Sequence, residues 1–291
     1  MIVEPQETIR ILKTYDFQCS KRFGQNFLID RHALDKIIAS ADLSSDDTVI
    51  EIGPGIGALT EVMAMTGARV ITVEIDDRLI PILTLELINY PNIEIVNGDF
   101  MKLDLKHWME EKQITGPVKF IANLPYYITT PIIMKIFESG IDAASLTLMV
   151  QEEVARRMEA GPGTKDYGAL SLAVQYYAEA SIAAYVPPNC FMPRPGVGSC
   201  VIRLVPFGSA PVDVNDTAFM FDLIRAAFLQ RRKTLGNSLS HGAGIPRETI
   251  QEVLLEMCLD PQIRGEKLSL GQYAELSNRI QEHQRKEEQH E

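Results

Sequence analysis

Short apolar runs rich in β-branched residues alternate with longer segments of helical periodicity from Asp47 to about Leu204. Such alternation is typical of βα units, which build a parallel sheet covered by helices on both faces. The strands predicted in this way are residues 48–52, 69–74, 93–97, 118–122, 146–150, 181–185 and 199–204, and the helices between them include 59–66, 79–88, 131–137 and 169–178. The pattern therefore predicts an α/β domain built on a parallel sheet.

The pattern changes after Leu204. Residues 206–211 contain two prolines and a glycine, which indicates a linker. Apolar residues then recur at helical spacing from Phe219 to Ala227, and further helical segments are predicted at 250–257 and 270–280. We therefore expect two domains: residues 1–206, which contain the sheet, and residues 207–291, a small all-helical domain.

Composition excludes several classes of protein. Apolar residues make up 46% of the 291 and charged residues 23%, which is typical of a globular protein. The first ten residues carry Glu4 and Glu7 and lack an apolar stretch, which argues against a signal peptide. No apolar run approaches the roughly 18 residues of a membrane helix. The four cysteines form no CxxC and the five histidines do not cluster. We therefore expect a cytoplasmic protein with neither a membrane segment nor a metal.

The net charge of −11 argues against simple electrostatic binding of nucleic acid, so local basic patches decide that question. Residues 223–246 contain no acidic residue, and a basic helix is predicted around 231–233. A second basic pair precedes residues 23–28. The candidate phosphate contacts are Lys21, Arg22, Arg225, Arg231, Arg232 and Lys233. The alternative for either patch alone is a solvated helix face.

A glycine-rich turn follows the first predicted strand of the sheet. Gly53, Gly55 and Gly57 permit positive φ and let a ligand lie against bare backbone at the start of a helix. Gly53, Gly55 and Ala58 also satisfy G-x-G-x-x-A. This motif alone therefore does not separate a dinucleotide site from a site for S-adenosylmethionine.

Polar residues recur where successive strands are predicted to end, each about one βα unit after the last: Glu74, Asp99 and Asn123. Parallel strands bring these ends to one edge of the sheet, where such folds bind ligands. Glu74 can accept hydrogen bonds from both ribose hydroxyls, and Asp99 can accept one from an adenine amine. The alternative is that the acidic residues cap the helices that follow.

The tetrapeptide Asn123, Leu124, Pro125 and Tyr126 indicates the reaction, which is methyl transfer to the exocyclic amine of a planar base. An aromatic amine is a poor nucleophile, so a methyltransferase must hold N6 of the base in line with the methyl group. The Asn123 side-chain oxygen and the Leu124 carbonyl can accept the two N6 protons, and Tyr126 offers a face on which an extruded base can stack. A simple turn ended by proline is the alternative.

The sequence resembles a known family, the small-subunit (16S) ribosomal RNA adenine N6-dimethyltransferases. The resemblance covers nearly the whole chain. It is carried by residues 24–28, 51–60, 98–100 and 123–127, by Tyr167, Gly168, Leu170 and Ser171, by Phe191, Pro193, Pro195, Val197 and Ser199, by residues 231–235 with Asn237, and by Arg264, Glu266, Leu268 and Ser269. Gly198 departs from the family, which usually has Asp there, and this puts the geometry of the loop carrying Phe191 in question.

The resemblance implies a Rossmann-like methyltransferase sheet and S-adenosylmethionine as the cofactor. It also implies two methyl additions to N6 of each of two adjacent adenosines near the 3′ end of 16S rRNA, in the small subunit or its precursor, with a role in subunit biogenesis. We expect a monomer, because the protein must dock on a particle. The implied cofactor contacts are Asn26, Leu28, Gly53, Glu74, Asp99 and Asn123, and the implied sandwich around the target adenine is Tyr126 with Phe191.

Three alternatives remain open. A large-subunit rRNA adenine methyltransferase of the macrolide-resistance type shares Tyr126, although the motifs at 231–237 and 264–269 favour the small-subunit group. A non-catalytic assembly factor on the same fold is the second. A dehydrogenase is the third, and it would prefer NAD to S-adenosylmethionine.

Overall fold

A computed structural model describes residues 1–288, apart from the side chains of Lys21, Glu287 and Glu288. In this part of the chain a seven-stranded sheet has the order β4-β3-β2-β5-β6-β9-β7, and a two-stranded sheet pairs β1 with β8. The strands are β1 Phe27–Leu28, β2 Thr48–Ile52, β3 Arg69–Glu74, β4 Ile93–Asn97, β5 Val118–Asn123, β6 Ala143–Gln151, β7 Ala178–Val186, β8 Phe191–Met192 and β9 Ser199–Pro206.

The central strands are parallel, as the alternating pattern predicts. Strand β2 pairs in parallel with β3 and β5, β3 with β4, and β5 with β6. Strand β9 runs antiparallel to β6, with Gln151 opposite Ser199. The pattern places β9 in the parallel sheet as well, and its antiparallel direction could not be predicted because an isolated strand pattern carries no direction.

The helices are α1 Pro5–Thr14, α2 Arg31–Ala41, α3 Ala58–Met65, α4 Ile80–Glu86, α5 Leu105–Glu111, α6 Thr129–Glu138, α7 Glu152–Glu159, α8 Ala169–Tyr177, α9 Thr217–Leu229, α10 Leu235–Ala243, α11 Arg247–Glu256 and α12 Leu270–Glu288. Side-chain caps fix several of their starts. Asp30 accepts from the Ala33 N–H at 2.8 Å, and Asp104 accepts from the His107 N–H at 3.3 Å.

The chain divides into two compact units. The first contains Met1–Ala155 and Ala180–Pro206, and the second contains Arg156–Glu179 with the chain from Phe207 onward. The predicted boundary after residue 206 left out the segment Arg156–Glu179, whose helical pattern did not reveal which core it joins. The core of the first unit lies between the sheet and helices such as α2, which buries Leu34 and Ile37.

The second unit has its own apolar core, to which α8 to α12 contribute. Two buried tyrosines fix the loop before α12. The Tyr167 hydroxyl donates to the Leu268 carbonyl at 2.8 Å, and the Tyr273 hydroxyl donates to the Gly265 carbonyl at 3.0 Å. Residues 231–233 form a turn between α9 and α10, so the expected basic helix at this position is corrected to a loop.

Within residues 1–288 no helix combines the length and the apolarity that crossing a membrane requires. In the same residues no group of three or more His, Cys, Asp or Glu side chains is arranged to hold a metal ion.

Candidate active site

The glycine-rich turn after β2 forms the floor of a cavity. Gly53, Gly55 and Gly57 all have positive φ, at 68°, 61° and 93°, so larger residues would be strained at these positions. A Cβ on Gly53 would meet nothing within 4 Å, which means that its backbone faces open space. Gly57 precedes α3, and the turn therefore leads directly into a helix N-terminus.

Two buried carboxyl groups line the cavity at neighbouring strands. The Glu74 Oε2 accepts from the Gly55 N–H at 3.2 Å, and its Oε1 accepts from the Asp76 N–H at 2.8 Å. Burial raises the pKa of Glu74 to about 7. Glu51 is 1% exposed and accepts from the Thr60 hydroxyl at 2.6 Å. Burial raises its pKa to about 8, and the nearby Glu74 adds to that shift.

The N-terminal segment 23–28 also lines this cavity. Gln25 connects it to the sheet, because its Nε2 donates to the buried Asp76 at 2.8 Å and its Oε1 accepts from the Ser20 N–H at 2.7 Å. Arg78 also holds Asp76, through an ion pair of 2.6 Å. Leu28 pairs with Phe191 across the small sheet, which anchors the end of the segment.

The predicted tetrapeptide lies at the end of β5 and lines the same cavity. The Asn123 Nδ2 donates to the Asn26 carbonyl oxygen at 3.0 Å. This contact fixes which way the amide points, so Oδ1 is left to accept from a ligand. The Leu124 N–H donates to the Met149 carbonyl at 3.1 Å, and the Pro125 carbonyl accepts from the Ile128 N–H at 3.2 Å. The backbone of the turn is therefore rigid before any ligand arrives.

The Tyr126 side chain is held at both ends. Its backbone belongs to the rigid turn, and its hydroxyl shares a hydrogen bond of 2.8 Å with the hydroxyl of Ser199, the first residue of β9. Ser199 is 1% exposed. Burial raises the pKa of Tyr126, so the phenol stays protonated at neutral pH. The ring is therefore a fixed, neutral surface beside the Asn123 amide.

Asp99 and Phe191 do not line the cavity. The Asp99 carboxylate caps the turn that follows it, accepting from the Met101 N–H at 3.0 Å. The Gly98 N–H donates to the Glu74 carbonyl at 2.8 Å, which ties the Asp99 loop to the cavity edge. Phe191 is 4% exposed and belongs to the apolar core beside Leu28. The roles assigned to these two residues stay predictions.

The predicted basic contacts have different surroundings. Arg231 forms an ion pair with Glu266 at 2.7 Å and donates to the Lys165 carbonyl at 2.7 Å, so the second unit uses this residue internally. Arg225 pairs with Asp222 on the surface of α9. Arg232 and Lys233 are exposed in the turn. The Arg22 guanidinium lies 5.4 Å from the centre of the Phe23 ring, and the Lys21 side chain lies outside the described part of the chain.

Several residues that line the cavity are not among the site residues predicted from the sequence. Glu51 had a signal, because a charged residue inside an apolar strand is seldom buried without a function or partner. Ile75 follows Glu74 at the strand end and lines the cavity with Leu79. The contacts of Gln25 with Asp76 and of Tyr126 with Ser199 had no local signal, since each joins residues far apart in the chain.

These residues fit S-adenosylmethionine. The open glycine backbone at Gly53 suits a close-lying ligand, and the Glu74 carboxylate at the end of β3 suits ribose hydroxyls. Ile75 and Leu79 give an apolar wall for an adenine ring. The fixed Asn123 amide beside this pocket suits a nitrogen nucleophile. Fold and site together define an S-adenosylmethionine-dependent methyltransferase.

Comparison with known proteins narrows this class. The family model of ribosomal RNA adenine dimethylases matches residues 16–282. A protein of Lachnoclostridium phytofermentans named ribosomal RNA small subunit methyltransferase A is 53% identical over 96% of this chain and 97% of its own length. A protein of the same name from Clostridioides difficile is 46% identical over 94% of both chains. The chain belongs to the ribosomal RNA adenine dimethylase family.

Solved structures agree with this assignment. A dimethyladenosine transferase from Plasmodium falciparum superposes with a TM-score of 0.73 and 26% identity, over 86% of this chain and 95% of the other. The 23S rRNA methyltransferase ErmE gives a TM-score of 0.67 and 27% identity, over 88% of this chain and all of the other. The predicted Rossmann-like fold, the adenine dimethyltransferase activity and the cofactor S-adenosylmethionine are confirmed.

Proposed function

We propose that this enzyme dimethylates N6 of two adjacent adenosines near the 3′ end of 16S rRNA, in the small ribosomal subunit or its precursor. The observation that carries the proposal is the fixed Asn123 amide, whose nitrogen is used by the Asn26 carbonyl. Its Oδ1 is thereby available to an amine donor, and the Tyr126 ring lies next to it in sequence on a rigid turn.

The chemistry of the target explains this arrangement. The lone pair of an aromatic amine is delocalised into the ring, and it becomes available only as the nitrogen turns tetrahedral. Acceptors at Asn123 Oδ1 and at the Leu124 carbonyl favour that geometry and hold N6 in place. Bound S-adenosylmethionine supplies the methyl group from its sulfonium. The amine proton can then leave to water, so the site needs no buried base.

Residues of the cavity would hold the cofactor. Glu74 would accept from the ribose hydroxyls, and the open backbone at Gly53 would lie along the ligand. Asn26 and Leu28 belong to the wall formed by the N-terminal segment. Asp99, on a loop tied to Glu74, would accept from the adenine amine, and Phe191 would cover the target base opposite Tyr126.

The second unit would supply the rRNA contact. The exposed turn between α9 and α10 carries Arg232 and Lys233, and phosphate groups bind such cations. Arg22 would add a contact near the cavity mouth. A localised basic face reconciles RNA binding with a net charge of −11. We further propose a cytoplasmic monomer that acts during subunit biogenesis.

The small subunit is preferred to the large one as substrate because the relatives named for the small subunit match over nearly the whole chain at 46–53% identity. The 23S rRNA methyltransferase ErmE is 27% identical. An assembly factor without catalysis is disfavoured by the intact cavity, in which Glu74 and Asn123 already hold defined positions.

Labelled methyl transfer from S-adenosylmethionine tests the proposal. The acceptors are small subunits lacking the adenine modifications, small subunits already modified, and large subunits. We expect label on the unmodified small subunit alone. Label on large subunits would favour the macrolide-resistance type of enzyme, and tight subunit binding without transfer would favour an assembly factor.

A further inference from the structure

Tyr127 is the second aromatic residue of the turn after β5, and its surroundings differ from those of Tyr126. Tyr126 is bound through its hydroxyl to Ser199, whereas Tyr127 is 61% exposed and lines the same cavity. An aromatic ring left in water forgoes the stabilisation that burial would give. Its position at the edge of a ligand cavity indicates that a ligand covers it.

The Tyr127 ring is nevertheless held in place. Gly24 has a φ of 60°, and a Cβ built on it would lie 3.6 Å from both Cδ1 and Cε1 of Tyr127. One edge of the ring therefore packs on the backbone of the N-terminal segment. That segment is itself fixed by Gln25 and Leu28. A ring fixed in this way loses little conformational freedom when a ligand stacks on it.

The neighbouring groups suit a nucleotide. Phe23 lines the same cavity, and the exposed Arg22 guanidinium lies over the Phe23 ring. Proteins that bind single-stranded nucleic acid combine aromatic rings, which stack on bases, with cations, which bind the backbone phosphates. The region around Tyr127 contains both kinds of group.

We propose that Tyr127 forms a stacking subsite for the unpaired base next to the target adenine, with Arg22 as a contact for the connecting backbone. The inference rests on the proposed function, because it takes the adenine at Asn123 to be extruded from its strand. Extrusion breaks the stacking of the target on its neighbours. A second aromatic residue directly after Tyr126 replaces the stacking that the neighbouring base has lost.

Three variants of the full chain test the subsite on unmethylated small subunits. Tyr127→Phe keeps a flat ring, Tyr127→Leu keeps apolar bulk against Gly24 without a ring, and Phe207→Ala removes an exposed aromatic outside the cavity. We expect KM for subunits to rise about tenfold in Tyr127→Leu and to stay within about twofold of wild type in the other two. The Kd for S-adenosylmethionine stays unchanged in all three.

A second arm uses subunits reconstituted with an abasic nucleotide on either side of one target adenosine, and methyl transfer is measured at that adenosine. We expect the wild type and Tyr127→Leu to become equal when the abasic site replaces the base that stacks. Equal KM values on intact subunits, or a tenfold difference that persists with each abasic substrate, would overturn the subsite alone. Absence of methyl transfer by the wild type would overturn the proposed function and the subsite with it.

Discussion

The Asn123 Nδ2 lies 3.0 Å from the carbonyl oxygen of Asn26, and this hydrogen bond joins the end of β5 to the N-terminal segment. The two residues are far apart in the chain, yet the contact decides which atom of the amide faces a substrate. Because Nδ2 donates to a carbonyl, Oδ1 is the atom that remains for the target amine.

Removal of this amide is expected to abolish turnover. Asn123→Ala loses the acceptor, and Asn123→Asp loses the donor to Asn26 and places a carboxylate against a carbonyl oxygen. We expect kcat to fall at least about a hundredfold in both variants, since a positioned group that stabilises the transition state contributes that much. Single-turnover methyl transfer measures the effect, with circular dichroism as the check on folding. Normal turnover of a folded Asn123→Ala protein would remove Asn123 from the mechanism.

Glu74 makes cofactor binding depend on pH. Burial raises its pKa to about 7, and the ionised form accepts from ribose hydroxyls more strongly. Affinity for S-adenosylmethionine should therefore rise as the pH increases from about 6 to about 8. Calorimetric titration measures it. Glu74→Gln should bind about tenfold more weakly at the upper pH and lose this part of the pH dependence. A variant with the same pH profile as the wild type would contradict the assignment.

Glu51 should make the fold less stable as the pH rises. Burial raises its folded-state pKa to about 8 from the ordinary 4.5, so the folded protein keeps a proton that the unfolded chain loses between these values. The folded state therefore binds more protons in this window, and the free energy of unfolding decreases with pH. Glu51→Gln has no carboxyl group to titrate at this position. Its free energy of unfolding should therefore increase relative to that of the wild type by at least about 1 kcal/mol as the pH rises from about 5 to about 8.

Urea unfolding at the two pH values measures the effect of Glu51. Asp42→Asn is a suitable control, because Asp42 is a residue of a surface loop after α2 and lies outside the cavity. If the wild type instead becomes more stable relative to Glu51→Gln as the pH rises, Glu51 is ionised in the folded protein.

Ser199 is expected to act by positioning the Tyr126 ring. The shared hydrogen bond has a length of 2.8 Å, and Ser199→Ala and Tyr126→Phe each remove it. We expect kcat to fall about fivefold in either single variant, since such a bond contributes about 1 kcal/mol, and no further in the double variant. KM for S-adenosylmethionine should not change. Additive losses would show that the two hydroxyl groups act independently.

The basic turn of the second unit contains two exposed cations, Arg232 and Lys233, and one arginine with internal partners, Arg231, and we expect their variants to differ. Charge reversal at Arg232 or Lys233 should weaken subunit binding and reduce the salt slope by about one counterion each. Arg231→Ala should instead lower the thermal stability, because it breaks the contacts with Glu266 and Lys165. Filter binding over a range of salt concentrations distinguishes them. An unchanged salt slope for Arg232→Glu would show that this turn is a solvated surface that makes no phosphate contact.

Part of this fold follows from local patterns. Strands Thr48–Ile52, Arg69–Glu74 and Ile93–Asn97 have the bounds that the sequence predicts, because each is a short apolar run between turn residues or polar ends. The glycine turn and the polar strand ends were also visible, and Gly53, Glu74 and Asn123 meet in one cavity.

Other features depend on contacts between distant residues and left no local pattern. The direction of β9 is set by its pairing with β6. Arg231 looks like a free cation in sequence, but its partner Glu266 reaches it only after folding. Asp99 fits the periodic series of strand ends, yet its carboxylate caps a turn outside the cavity lining. Phe191 is likewise buried in the apolar core, where β8 pairs with the distant strand β1.

The nucleoside composition of small-subunit rRNA after reaction tests most directly whether the enzyme dimethylates N6 and whether Asn123 is required. Subunits lacking the modification are incubated with S-adenosylmethionine and the enzyme, and the digested RNA is examined by mass spectrometry. We expect N6,N6-dimethyladenosine with the wild type and none with Asn123→Ala. Methylation at another atom of the base, or dimethyladenosine formed equally well by Asn123→Ala, would contradict this expectation.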